Sequence, residues 1–253
     1  MATYKTKGIV LKRKDVGEAD KIITVFSDRY GKIIARAKGV RKILSKNGGN
    51  IELFILADFV FAEGKNFDIL VGASIINSFK NIRNNLKKTA IAYYFAEIVD
   101  KLTSEKEGSN KIFGLLLESF SLLDSKKEKL LIYPYFELNL LSYLGYFPQL
   151  EKCVHCHKEI NSEINYFSNH LGGIVCPNCQ NFKNPHKISQ NALKTLRVIL
   201  KYDFGFLNKI KINEEIQKEV KFIVENFLKH VAEKEFKSPK FIASVSEQKG
   251  SLE

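Results

Sequence analysis

All four cysteines of the chain fall in two pairs, Cys153-Val154-His155-Cys156 and Cys176-Pro177-Asn178-Cys179, spaced C-x2-C-x19-C-x2-C. Each pair lets a tight turn aim two thiolates at one centre, and two such turns complete a tetrahedron around a zinc ion. Gly172 and Gly173, just before the second pair, supply the backbone freedom that a hairpin leading into such a turn needs. Four sulfurs leave no position open for water or substrate. The spacing therefore predicts a structural zinc ribbon over residues 153–180, with Cys153, Cys156, Cys176 and Cys179 as ligands.

Other chemistries compete for these cysteines. Disulfides need an oxidising compartment, yet the apolar run at residues 8–11 is followed at once by Lys12-Arg13-Lys14, too short for a secretory signal. A thioredoxin-like pair explains one C-x-x-C and leaves the other idle. His157-Lys158-Glu159 ahead of the second pair imitates a zinc nucleobase deaminase, but Val175 stands where that signature needs proline, and Cys153 and Cys156 would have no role. The deaminase stays a distant alternative. A zinc-ribbon interaction module of RNA or polymerase machinery is the nearer one.

The chain of 253 residues is long enough for one large or two modest cores, and its 45% apolar, 27% charged composition is that of a globular protein. No apolar stretch is long enough to span a membrane, so a cytoplasmic protein is expected. The net charge of +12 is concentrated: residues 1–50 hold 13 Lys/Arg against 4 Asp/Glu. A localised positive field points to a polyanion, nucleic acid ahead of membrane.

Short β-branched runs at residues 8–11, 21–26, 32–37, 51–61 and 67–76 are separated by Gly- and Asp-rich turns. Five strands at this spacing leave no room for crossover helices and predict an OB-type barrel over residues 1–79. In the third strand Ile33, Ala35 and Ala37 face inward, while Ile34, Arg36 and Lys38 alternate with them. That strand runs into a basic loop, residues 39–46, suited to phosphate contacts. The candidate nucleic-acid-contacting residues are Lys12, Arg13, Lys21, Arg29, Lys32, Arg36, Lys38, Arg41, Lys42 and Lys46. Asp15, Glu18 and Asp20 flank Gly17 and make a polar hairpin turn rather than a Mg2+ site. No phosphate-binding Gly-rich loop or G-x-S-x-G elbow occurs.

From about residue 81 the period becomes helical. Ile82, Leu86, Ala90, Tyr93, Tyr94, Ile98 and Leu102 mark one face, residues 112–123 a second helix and 130–143 a third. Ser189 and Asn213 cap two more. The expected division is a helical domain at 80–152 and 181–237 interrupted by the ribbon, then a flexible polar tail at 238–253.

Taken in order, these segments resemble the RecO family of bacterial recombination mediators. Thr6-Lys7-Gly8-Ile9-Val10-Leu11 and Gly17-Glu18-Ala19-Asp20-Lys21-Ile22-Ile23-Thr24 are similar to its first hairpin. Tyr30-Gly31-Lys32, Ala37-Lys38-Gly39-Val40-Arg41 and Gly49-Asn50 match the next segment. Residues 136–146 resemble the helix before its ribbon, as Phe167-Ser168 and Gly172-Gly173-Ile174-Val175-Cys176-Pro177 do the ribbon's second half. The resemblance implies an α+β protein: an N-terminal OB-type barrel of five strands, then a helical domain with an inserted four-cysteine zinc ribbon. It implies a non-enzymatic mediator that binds single- and double-stranded DNA, anneals complementary strands, associates with RecR and engages the C-terminal tail of single-strand-binding protein (SSB). RecA is then loaded indirectly. The helical domain is the expected host of the SSB tail, and Tyr30, Phe54, Phe59 and Phe61 are candidate base-stacking rings, most of them expected in the core.

Overall fold

A computed structural model describes residues 2–42, 45, 47–125, 131–160, 164–181 and 185–247. Contact density divides the chain into two compact units, Met1–Lys127 with Phe236–Glu253, and Glu128–Glu235.

The first unit opens with strands β1 (Thr3–Val16), β2 (Asp20–Ser27), β3 (Gly31–Ala37), β4 (Leu56–Ala62) and β5 (Asp68–Asn77). They close into a barrel of order β1-β2-β3-β5-β4, in which only the β3–β5 pairing is parallel. The closure follows from the alternation: Val10, Ile23, Val25, Ile33, Ala35, Ala37, Ala57, Phe59, Phe61 and Leu70 point inward and form one apolar core. The β3 prediction holds, with Ile33, Ala35 and Ala37 buried and Arg36 and Lys38 exposed. The fourth run differs. Residues Gly49–Ile51 form a 3-10 turn, and the strand itself begins at Leu56.

Helices α1 (Lys80–Arg83), α2 (Leu86–Leu102) and α3 (Asn110–Asp124) pack within this same unit. The apolar stripe from Ile82 to Leu102 is thus two helices. Asn85 breaks it by capping α2, its side chain accepting the Lys88 N–H at 3.1 Å. Phe54 at the barrel and Phe79 before α1 both meet Phe120 of α3 edge-to-face, at 5.6 and 5.8 Å between ring centroids. The β2–β3 turn docks on the loop before α3 through two glycines. A Cβ on Gly31 (φ +62°) would lie 1.9 Å from the Glu107 carbonyl oxygen, and one on Gly108 would lie 2.2 Å from that of Arg29. Only backbone fits there.

The expectation of a flexible tail from residue 238 does not hold over Ser238–Glu247, which form helix α8 against α2. Glu97 of α2 holds its start, accepting the N–H groups of Lys237 and Ser238 and the Ser238 hydroxyl. Residues 248–253 lie outside the described residues.

The second unit is built on α4 (Ile132–Tyr143), buried nearly all round. Strands β6 (Ile164–Ser168), β7 (Gly173–Val175) and β8 (His186–Ser189) form a sheet of order β7-β6-β8. Helices α5 (Gln190–Lys201), α6 (Phe204–Leu207) and α7 (Glu214–Ala232) follow. Ser189 and Asn213 cap α5 and α7 as their positions predict, accepting the N–H groups of Ala192 and Ile216. Among the described residues no helix is long and apolar enough to cross a membrane.

Candidate metal centre and nucleic-acid interface

The two cysteine pairs converge. Each occupies a tight turn: His157 donates its N–H to the Cys153 carbonyl, and Cys179 donates to that of Cys176, both at 2.9 Å. The first turn is pinned to β7 by the Val154 N–H on the Ile174 carbonyl at 2.8 Å, and Gln149 pairs with Gly173. All four sulfurs lie within 4.8 Å of one another. Sulfurs at about 2.3 Å from a tetrahedral ion stand about 3.8 Å apart. The Cys156–Cys176 Sγ separation is 3.7 Å. The residues fit a closed four-thiolate metal site, and the convergence of all four removes the open position that a deaminase needs.

The electrostatics of the cluster point the same way. Burial opposes ionisation of Cys153, yet backbone N–H groups of Cys156, Cys176 and His155 outweigh it and lower its pKa to about 6. Burial raises Cys176, and burial together with the neighbouring sulfurs pushes Cys179 up to about 12. The Cys153 thiolate forms readily while Cys176 and Cys179 resist, so the full set of negative charges calls for a cation at its centre. Val175 and the half-buried Val154, Ile160 and Tyr166 pack around the sulfurs. The ribbon in turn rests on the helices: Phe167 meets Phe227 at 5.4 Å, and Glu219 of α7 accepts both the N–H and the hydroxyl of Ser189 at 2.6 Å. His155, His157 and His170 are exposed.

The predicted cations sort into three groups. Lys32 is committed to the fold, with its side chain 12% exposed and its ammonium donating to the Asp100 carbonyl at 2.6 Å. Arg13 pairs with Glu52, and Lys12 stands 3.9 Å from Asp100. A second group is tied to the hairpin turn between β1 and β2. Arg36 makes two 2.8 Å contacts to Asp20, which also accepts the Gly39 N–H. Lys21 pairs with Asp15, and Arg41 lies 3.6 Å from it while donating to the Gly17 carbonyl. These donors lower both carboxylate pKa values, chiefly through Lys21 for Asp15 and the Gly39 N–H for Asp20. The polar-turn reading of Asp15 and Asp20 missed that they neutralise the neighbouring arginines. Arg29, Lys38 and Lys42 form the third group, exposed and with no ion pair among the described residues. Lys46 lies outside the described residues. Of the four candidate stacking rings, Phe54, Phe59 and Phe61 are buried, whereas Tyr30 is 39% exposed and packs on Tyr4.

A closed OB-type barrel with a cationic outer edge, joined to helices that carry a four-cysteine ribbon, defines a barrel-and-ribbon nucleic-acid protein. Two family descriptions match nearly the whole chain, "Recombination protein O N terminal" over residues 1–79 and "Recombination protein O C terminal" over residues 83–240. Proteins named DNA repair protein RecO are similar along their length. One from Dehalococcoides mccartyi is 38% identical over 93% of both chains. One from a Thermoanaerobacter species is 38% identical over 96% of this chain and 98% of its own, and one from Caldanaerobacter subterraneus is 33% identical over 98% and 100%. The chain belongs to the RecO family, whose work is DNA repair and recombination.

Proposed function

We propose that this chain is the DNA-binding recombination mediator of gap repair. It binds single- and double-stranded DNA, anneals complementary strands, and works with RecR and SSB so that RecA takes over the coated strand. It does this without covalent chemistry, in the cytoplasm at the nucleoid. The observation that carries the reading is the exposed cationic edge of the barrel. Lys38 and Lys42 follow β3 with no ion pair among the described residues, and Arg29 stands at the β2–β3 turn. Cations held on a rigid barrel offset the repulsion between two phosphate backbones, which is the physical obstacle to annealing.

Zinc is the metal assigned to the ribbon, because a closed four-thiolate tetrahedron is its preferred structural shell. Its contribution is to hold the two cysteine turns together beside β7, and no step of DNA binding runs through it. The SSB tail, acidic and aromatic-tipped, needs an apolar groove with cations at the rim. In the second unit a groove of about 630 Å³, lined by Leu131, Phe204, Leu207, Ile210 and Lys211, offers that chemistry.

The test is an annealing assay on complementary oligonucleotides, bare and coated with SSB. The expected result is acceleration of both by the protein. RNA or polymerase binding without annealing would replace this reading with the ribbon-module alternative.

A further inference from the structure

We propose that Tyr202 and Phe206, at the corner between α5 and α6, form a base-stacking platform for single-stranded DNA. The proposal rests on the DNA-binding reading above and adds a site that lies outside the barrel. The two rings are 4.3 Å apart between centroids and inclined by only 22°, so they stand nearly parallel. They remain 40% and 42% exposed. The backbone fixes this pose. Tyr202 donates its N–H to the Val198 carbonyl at 3.0 Å, and Asp203 caps the next turn by accepting the Phe206 N–H at 2.9 Å.

Neither ring is part of the core. In the same short helix Phe204 and Leu207 are each 2% exposed, and Phe204 packs on Tyr135 at 5.1 Å. Phe206 is the large side chain of that helix left outside. Two large rings kept in water are unfavourable unless something covers them, and mutual stacking covers only one face of each.

The charge around the rings selects the occupant. Residues 194–211 contain Lys194, Arg197, Lys201, Lys209 and Lys211 against one acid, Asp203, which serves as the cap. Arg197 is occupied by the Leu150 carbonyl and Glu151, but the four lysines are exposed. Lys201 places its ammonium 5.5 Å from the Tyr202 ring centre. Lys194, seven residues earlier on α5, lies on the same helix face. Flat rings flanked by lysines match a nucleotide strand, whose bases offer π-faces and whose phosphates need cations. The apolar groove proposed for a peptide tail shares Lys211 with this basic surface, but Tyr202 and Phe206 are absent from its lining. A second strand site on one chain is also what a protein that pairs two strands can use.

The experiment uses the full chain and an oligo-dT ligand. Y202A/F206A should weaken dT binding at least about fivefold, the lower end for losing one stacked base. Its salt slope should match the parent, because stacking releases no counterions. Duplex affinity should not change, since paired bases do not offer their faces. Because the chain contains no tryptophan, Y202W creates a single indole reporter. It should be quenched by dT. Parent-like dT binding by Y202A/F206A, with an indole unmoved by dT, overturns the platform while leaving the barrel reading intact. Quenching by an acidic aromatic-tipped peptide but not by dT overturns it in favour of a peptide surface. No dT binding by the parent chain overturns both readings.

Discussion

The ion pairs at the barrel edge predict that cations of equal sign and similar exposure contribute unequally to DNA binding. Lys38 and Lys42 make no ion pair among the described residues, whereas Arg36 and Arg41 are held by Asp20 and Asp15. Each phosphate neutralised on a single strand contributes about 0.7 to the slope of log affinity against log salt. K38A/K42A should therefore flatten the slope by about 1.4, which over a fourfold rise in salt is about a sevenfold difference in affinity lost. The comparison is the variant D20N/R36A, which removes one pair, leaves the net charge unchanged and keeps the Asp15 contact to Lys21 in place. The amide oxygen that D20N introduces retains an acceptor for the Gly39 N–H, so the loop keeps its anchor. The slope of this variant should stay within about 0.3 of the parent, less than half a phosphate contact. Fluorescence anisotropy of a labelled dT oligonucleotide over a fourfold range of salt measures both. Equal flattening per cation in the two variants would refute the reasoning, because Arg36 would then be leaving its carboxylate for a phosphate.

Elemental analysis of protein purified under reducing conditions without chelator should give about one zinc per chain, and C153S or C179S should lose it. Metal loss should also lower the unfolding temperature of the second unit, where the ribbon rests on α7. Phe120→Ala removes the ring on which Phe54 and Phe79 both pack, and should cost about 3–5 kcal/mol in urea unfolding; a loss under about 1 kcal/mol would show that the barrel and α3 are not joined there. Glu97 sits in a partly buried site, and its bonds from Lys101, Lys237 and Ser238 outweigh that burial and lower its pKa to about 2. Its folded pKa lies below the unfolded value of about 4.3, so its stabilisation is complete above that value and fades as pH falls toward about 2. Limited proteolysis should show α8 released across that window in the parent, and already released at neutral pH in E97A.

The barrel and the cysteine cluster were legible because their determinants are local. Alternating residues such as Ile33, Ala35 and Ala37 decide their faces within one strand, and two short C-x2-C segments carry every ligand. The helical half was legible in period and not in partition. Ile82 and Leu86 keep a continuous stripe, and the break between them comes from Asn85, whose capping signal lay in plain view inside the stripe. Helix α8 was missed for a different reason. Ser238-Pro239 is sound helix-start chemistry, but a polar segment gains its stability from a partner, here Glu97, 141 residues before Ser238 in the chain.

The cationic edge shows the same limit at the level of function. Composition located the positive charge correctly, yet charge is a property of pairs as much as of residues. Asp20 opens β2, and Arg36 on β3 stands opposite Ile22, two residues along, so the β2–β3 register brings the carboxylate onto the guanidinium. Asp15, one residue before the end of β1, stands opposite Lys21. A register could be drawn from the two turns, at residues 17–19 and 28–30, before any coordinates. That step would have divided the predicted cations into bound and available. It would also have moved weight from Arg36 and Arg41 to Lys38 and Lys42, a division that the salt slopes measure at Arg36.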